Sequence, residues 1–443
     1  MSSRRNEDLD EWCDPENPRT LKFEDVIAAA DLINPLIKHP PCMASHHQKQ
    51  FCMPLYYKLE SLQKSGCFKE RGALCALLRL PLDKRKIGVV VASLGNEAIA
   101  MCFHAAKYGV PVIAVMPSYV PLSYTQRCYA MGAKVIVQGT TLYDAQKFAR
   151  VLARDRGLTY INGRDHPDVL AGYGTIALEI MHEIPEVEFI IVPIGTGGLA
   201  AATARVVKHH KTKCQVYGVQ SEQAPAFFKH LADDMPGVGI PARHTMADAI
   251  AVSHVGVNSY VNAQPALDKV VLVKEDCIAR AVLHMMEVQR IVVEGAAACP
   301  LAAILSNQLP ELRSKIVVCV VTGGNMDNML YTRALDRGMS AEARLLKFRV
   351  KVHDSSVDVS QLLKLIEAGG HGIVQYDEIH KWTEDEQYKM EISLVCRTMG
   401  LDHALEIKRL LEKAYPCDVV FETEPFNDKR TCPCYVFKYL PCG

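Results

Sequence analysis

The chain has 443 residues, enough for two or three folding units rather than one core. Lys plus Arg number 50 and Asp plus Glu number 50, so no net field attracts nucleic acid or an anionic membrane. Apolar residues make up 49%, ordinary for a globular protein, and no apolar run approaches the roughly 20 residues that span a bilayer. The opening residues, MSSRRNEDLDEWCD, lack the apolar core of a secretion signal. Their acids speak against a mitochondrial leader, so a cytoplasmic location is expected. The 16 cysteines are scattered singly through apolar runs, as at Cys75, Cys102, Cys299 and Cys319, which reads as buried free thiols in a reducing compartment. Cys432, Cys434 and Cys442 enrich the tail, residues 431–443, but no fourth ligand at zinc-like spacing accompanies them.

Residues 1–20 are polar with two prolines and read as a disordered or arm-like segment. From Leu21 to about Leu335, short β-branched runs alternate with helical segments. The predicted strands are Ile87–Ala92, Val110–Met116, Lys134–Gln138, Phe189–Pro193, Val216–Gln220 and Lys315–Thr322. Predicted helices between them include Glu97–Tyr108, Leu142–Arg156 and Gly198–Lys211. Continuous apolar strands separated by helices indicate an α/β architecture with a largely parallel sheet, whose ligands sit at the carboxyl ends of the strands. A boundary is predicted near Met339–Ala343. Beyond it the pattern is strand (Leu346–Val352), helix (Val359–Ala368), strand (Ile373–Ile379), strand (Tyr388–Arg397), helix (His403–Ala414) and strand (Cys417–Phe421). That βαββαβ order is the pattern of an α+β, ferredoxin-like sandwich.

Four turns carry candidate chemistry. Lys69 lies in KLESLQKSGCFKERGA, Lys58–Ala73, an amphipathic stretch in which any one lysine is ordinarily a solvated charge. Lys69 differs by following the tight Gly66-Cys67-Phe68 turn, and a lysine held against apolar surroundings can lose its proton and form a Schiff base. Ser93-Leu94-Gly95-Asn96 follows an apolar strand and opens a helix, whose free amides favour an anion. Gly195-Thr196-Gly197-Gly198 again joins strand to helix, and its small residues let backbone N–H groups close around a phosphate. It lacks the spacing of a dinucleotide site and the lysine of a P-loop. Thr322-Gly323-Gly324-Asn325 follows the last long strand. Each turn taken alone is equally an ordinary strand–turn–helix corner.

In this order and spacing the turns resemble the pyridoxal-phosphate-dependent threonine/serine ammonia-lyases (dehydratases) and serine racemases. Further motifs carry the resemblance: Gly66–Ala73, Val169–Thr175 (VLAGYGT) and Glu294–Ala298 (EGAAA). It covers roughly residues 21 to 335 and implies the tryptophan-synthase-β-like fold of two α/β subdomains within 21–338, the smaller roughly 79–160. It implies pyridoxal 5'-phosphate as cofactor. Lys69 would carry it as a Schiff base and later move the α-proton, with Phe68 packing near its ring and Asn96 bonding its phenolic oxygen. Gly195, Thr196, Gly197 and Gly198 would cradle its phosphate. Thr322 would face the pyridine nitrogen, where a neutral hydroxyl leaves that nitrogen largely unprotonated and suits β-elimination. Ser93, Leu94, Gly95, Glu97 and Tyr173 would border the substrate.

The chain departs from the family pattern at named places. Leu94 stands where family racemases carry a serine that acts on the opposite face, so racemisation is disfavoured. Glu97 replaces a common histidine; its carboxylate either repels the substrate carboxylate or points to solvent and complements the helix dipole. Tyr173 replaces a frequent glutamine and Ala249 a glycine. Gln220 replaces an acid that helps hold a cation in some relatives, so no metal is expected there. Residues 345–430 resemble an ACT-type regulatory domain, although Asp354-Ser355-Ser356-Val357 lacks the glycine of the usual effector turn. An amino-acid effector site and a dimerisation module are both open readings, and a homo-oligomer is expected. Two functions follow. One is elimination from L-threonine or L-serine to a 2-oxo acid and ammonia; the other is a catalytically impaired homologue that binds or regulates. Serine racemase ranks behind both.

Overall fold

The computed structural model describes residues 10, 12–210, 213–233, 239–380 and 388–423. The first nine residues, Lys211 and the cysteine-rich tail lie outside them. The chain divides into two compact units, one up to Tyr331 and one from Thr332 onward, and a helix, Asn328–Ala341, contains the point of division.

Among the described residues the first unit holds ten strands: β1 (Cys42–Ala44), β2 (Leu55–Leu59), β3 (Val89–Ala92), β4 (Val112–Met116), β5 (Lys134–Val137), β6 (Thr159–Tyr160), β7 (Phe189–Pro193), β8 (Gln215–Ser221), β9 (Lys269–Val273) and β10 (Val317–Val321). They form a six-stranded sheet in the order β1-β2-β10-β7-β8-β9 and a four-stranded sheet in the order β5-β4-β3-β6. All pairings are parallel except β1 with β2. Strands β3, β4, β7 and β10 are buried along their whole length, as a sheet covered by helices on both faces requires.

Several elements differ from the sequence reading. Ile87 ends a short helix, Leu82–Ile87, and the strand starts only at Val89. The stretch from Lys58 is not one amphipathic element: Lys58 and Leu59 close β2, and a 3-10 turn, Glu60–Leu62, follows. The charge of Lys58 masked β2, yet its ammonium is fully buried and lies 2.8 Å from Glu179 and 2.5 Å from Glu183. The polar N-terminal segment, where described, is a docked strap rather than a loose arm. Arg19 N–H donates to Asn258 Oδ1 at 2.7 Å, Asn258 Nδ2 donates to the Trp12 carbonyl at 2.7 Å, and the Arg19 guanidinium lies 4.3 Å from the Trp12 ring centre.

Beneath the helix that begins at Lys69 (Lys69–Arg79) runs a buried ionic lattice. Arg71 is fully buried and grips two carboxylates, Glu60 at 2.8 and 2.7 Å and Glu179 at 2.6 and 2.8 Å. Its Nη1 also donates to Thr175 Oγ1 at 3.1 Å. Burial opposes ionisation of Glu179, but Arg71 and Lys58 overcome it and hold its carboxyl down at about 2. The Lys69 helix is thereby locked to the helix Pro167–Glu183.

The second unit pairs β11 (Leu345–His353), β12 (Gly372–His380), β13 (Lys389–Arg397) and β14 (Val419–Phe421) in the order β12-β13-β11-β14, all antiparallel. Helices Ser356–Ala368 and Leu401–Ala414 complete the βαββαβ succession. Leu346, Phe348, Val350 and Val352 alternate into a core with Leu362, Ile366, Ile407 and Leu411. Strand β12 is exposed along almost all of its length.

Candidate active site

Lys69 is the first residue of its helix, and the loop before it is stitched to the turn after β10. Phe68 N–H donates to the Thr322 carbonyl at 2.9 Å, Gly324 N–H to the Gly66 carbonyl at 3.0 Å, and Asn325 Nδ2 to the Ser65 carbonyl at 2.9 Å. Two distant segments thus converge at the carboxyl end of the sheet. The Lys69 side chain, about one-fifth exposed, lines a cleft of about 950 Å³ counted to its open mouth. Phe68, Lys69, Ser93, Leu94, Gly95, Asn96, Glu97, Tyr173, Gly195, Thr196, Gly197, Gly198 and Thr322, separated widely in the chain, all line this one cleft.

On one wall, the helix Asn96–Tyr108 begins. Ser93 Oγ accepts from Gly95 N–H at 2.9 Å and Ala98 N–H at 3.2 Å, while the N–H groups of Asn96 and Glu97 have no partner among the described residues. Free amides at a helix start, with the dipole behind them, are a carboxylate receptor. The Asn96 side chain is held from both ends: Nδ2 donates to Glu294 Oε2 at 2.8 Å and Oδ1 accepts from Asn325 Nδ2 at 2.8 Å.

On the opposite wall, β7 turns through Gly195–Gly198 into the helix Gly198–His209. A Cβ on Gly197, where φ is +102°, would stand 2.7 Å from the Phe227 ring, and one on Gly198 would stand 2.9 Å from the Arg164 carbonyl. Side chains are excluded behind the loop, so its N–H groups form a bare cradle for a phosphate. A glycine turn at a helix start, a lysine and the Thr322 hydroxyl in one cleft fit a phosphorylated aldehyde cofactor.

Glu97 does not point to solvent. Its side chain is buried, with Oε2 3.6 Å from Lys69 Nζ and 3.3 Å from Tyr173 Oη. Tyr173 Oη also lies 3.0 Å from the Gly163 carbonyl, and its ring tilts against Phe68 at 4.7 Å. Glycine at 163 leaves room for that side chain, because a Cβ there would lie 2.1 Å from Glu97 Cδ. The space for the inward carboxyl is therefore built in.

The cleft also contains Tyr124, Gly163 and Arg164, which were not singled out from the sequence, and Asp248 and Glu294, to which no role was assigned. Gly163 and Arg164 follow β6, only two residues long and too short to register as a strand. Arg164 forms no ion pair among the described residues. Ala249 lines the cleft beside Asp248, to whose Oδ1 its N–H donates at 2.8 Å. Gln220 is fully buried; Oε1 accepts from Phe228 N–H at 2.8 Å and Nε2 donates to the Ala224 carbonyl at 3.4 Å.

Residues 33–323 match the family model described as pyridoxal-phosphate dependent enzyme. The chain belongs to that family. Its cofactor is pyridoxal 5'-phosphate. The L-threonine ammonia-lyase of Geobacter sulfurreducens is 34% identical over 404 residues, covering 90% of this chain and all of that protein. Among solved structures, threonine deaminase isoform 2 from Solanum lycopersicum superposes with a TM-score of 0.66 at 26% identity, over 72% of this chain and 95% of the other. Serine racemase from Dictyostelium discoideum superposes with a TM-score of 0.65 at 28% identity, over 70% of this chain and 100% of the other.

Three acids lining the cleft of this pyridoxal-phosphate enzyme are shifted upward. Burial raises Glu294 to about 7, against the Asn96 hydrogen bond, and Asp248 to about 6. Burial also raises Glu97, against Lys69 and Tyr173. An acid with a higher pKa folded than unfolded stabilises the fold below its unfolded value and loses that contribution as pH rises through the folded value. The cofactor-free protein is expected to melt at a lower temperature at about pH 8 than at about pH 6, and Glu294→Gln to shrink the difference. Calorimetry of both proteins checks this; an undiminished difference in Glu294→Gln would assign the ionisation to other groups.

Proposed function

We propose that the enzyme eliminates the β-hydroxyl of L-threonine or L-serine and releases a 2-oxo acid and ammonia. The observation that supports this reading is that Lys69, the helix start at Asn96 and Glu97, and the glycine turn of residues 195–198 line one cleft. Lys69 would hold the cofactor covalently, Gly195–Gly198 its phosphate, Asn96 its phenolic oxygen and Thr322 its ring nitrogen. When bound, the cofactor supplies a sink for negative charge at Cα. The amides of Asn96 and Glu97 would take the substrate carboxylate and fix Cα beside Lys69, which removes the α-proton. The resulting enamine tautomerises and loses ammonia to water.

Leu94 lines the cleft with a side chain that cannot carry a proton, which supports elimination over racemisation. Incubation with L-threonine and L-serine is expected to give 2-oxobutyrate or pyruvate with equimolar ammonia, and D-serine well below pyruvate on chiral chromatography. A cofactor-loaded protein inert toward both amino acids would overturn the reading. D-Serine in amounts comparable with pyruvate would overturn the choice of reaction.

For the second unit we favour an ACT-like regulatory or pairing role. Its sheet order supports this, as does a surface hollow lined by Asp354, Ser355 and Ser356 together with Glu378 and Met390. Strand β12, with Ile373 and Val374 exposed, offers an edge for a second copy. The buried free thiols at Cys75, Cys102, Cys299 and Cys319 suit a reducing, cytoplasmic setting.

A further inference from the structure

The carboxyl of Glu97 lines the cleft and has no part in the roles above. Tyr173 has a single hydroxyl hydrogen and two oxygen neighbours, the Gly163 carbonyl at 3.0 Å and Glu97 Oε2 at 3.3 Å. The single hydrogen can serve only one of them at a time, and the Gly163 carbonyl has a second donor in Lys69 Nζ at 3.4 Å. Whenever the hydroxyl hydrogen is on the carbonyl, the Tyr173–Glu97 contact is a hydrogen bond only if Glu97 brings a proton of its own. The other oxygen, Oε1, is buried within the cleft wall and has no partner among the described residues. The groups facing Glu97 are Lys69 and Cys67 from the Lys69 loop and helix, and Tyr173 with the Gly163 carbonyl from the other side. Burial favours the neutral form of such a carboxyl.

We propose that Glu97 is the acid that protonates the departing β-hydroxyl. This rests on the elimination reading and adds the proton source that hydroxide, a poor leaving group, requires. The step balances. Lys69 takes the proton from Cα, and that bond's electron pair becomes the Cα–Cβ double bond. The Cβ–O pair leaves with oxygen, which accepts the Glu97 proton and departs as water. Lys69 is then an ammonium and Glu97 a carboxylate 3.6 Å apart, and transfer of one proton between them restores both.

The test compares L-serine, whose leaving group needs a proton, with β-chloro-L-alanine, whose chloride does not. In Glu97→Gln holoenzyme, kcat for L-serine is expected to fall about 100-fold or more, and that for β-chloro-L-alanine less than about fivefold. Equal losses on both substrates, or retained serine turnover, would refute the assignment. A wild type inert toward L-serine, L-threonine and β-chloro-L-alanine would remove the elimination reading and this proposal with it. Infrared difference spectroscopy of cofactor-free wild type against Glu97→Gln reads the proton directly. The carbonyl stretch of a protonated carboxyl is expected near neutral pH, and its absence would overturn the proposal. Should Glu97→Gln fail to fold, Tyr173→Phe serves in its place: losing the Oη partner should shift that band without abolishing it, and an unmoved band contradicts the geometry.

Discussion

Lys69→Ala is expected to abolish covalent cofactor attachment, leaving a protein that borohydride treatment with added pyridoxal phosphate no longer labels. Elimination from L-serine or L-threonine should fall about 1,000-fold or more, because one change removes both the attachment point and the base. The expectation is sharp because, among the described residues, Lys69 is the only lysine lining the cleft. The buried neighbour Lys58 cannot substitute for it, being held by Glu179 and Glu183. The wild type should be yellow and carry the reduced label on the peptide containing Lys69. A label that persists in Lys69→Ala would place the cofactor elsewhere.

Arg71→Ala is expected to destabilise the first unit by about 3–5 kcal/mol, the range found when one partner of a buried ion pair is deleted. Glu60 and Glu179 would then face each other across the gap without the guanidinium that neutralises both. Arg71→Lys should recover only part of the loss, since an ammonium cannot grip two carboxylates with paired N–H groups. Urea unfolding monitored by circular dichroism measures both. A wild-type midpoint for Arg71→Ala would mean that the network contributes little to the fold.

Much of the site was legible because its parts are punctuated in the sequence. Three of the four glycine-bearing turns follow runs of apolar residues, which are the buried strands β3, β7 and β10, whereas the Gly66 turn follows the 3-10 turn Glu60–Leu62. The direction of Glu97 was not legible. A residue in the first turn of a helix can face either way, and here the decision is made by Gly163 and Tyr173, which approach only in the folded chain. Strand β2 was obscured for a related reason. Lys58 interrupts its apolar run, and the acids that make its burial tolerable belong to a helix far along the sequence. The N-terminal strap reads as disordered by composition, because polar residues hold it in place through single hydrogen bonds that leave no periodic trace.

The position of β10 governs the order in which the molecule can be made. Strands β3 to β6 are contiguous in the chain, so the smaller sheet can close while synthesis is still under way. The larger sheet cannot, because β10 lies between β2 and β7 and is the last of its strands to leave the ribosome. Until Val317–Val321 arrives, β2 and β7 each present an unpaired parallel edge, and the Lys69 loop has no Thr322 carbonyl to anchor it. Nascent chains halted before that strand would expose apolar edges to one another, which makes this interval the one in which chaperone protection matters most.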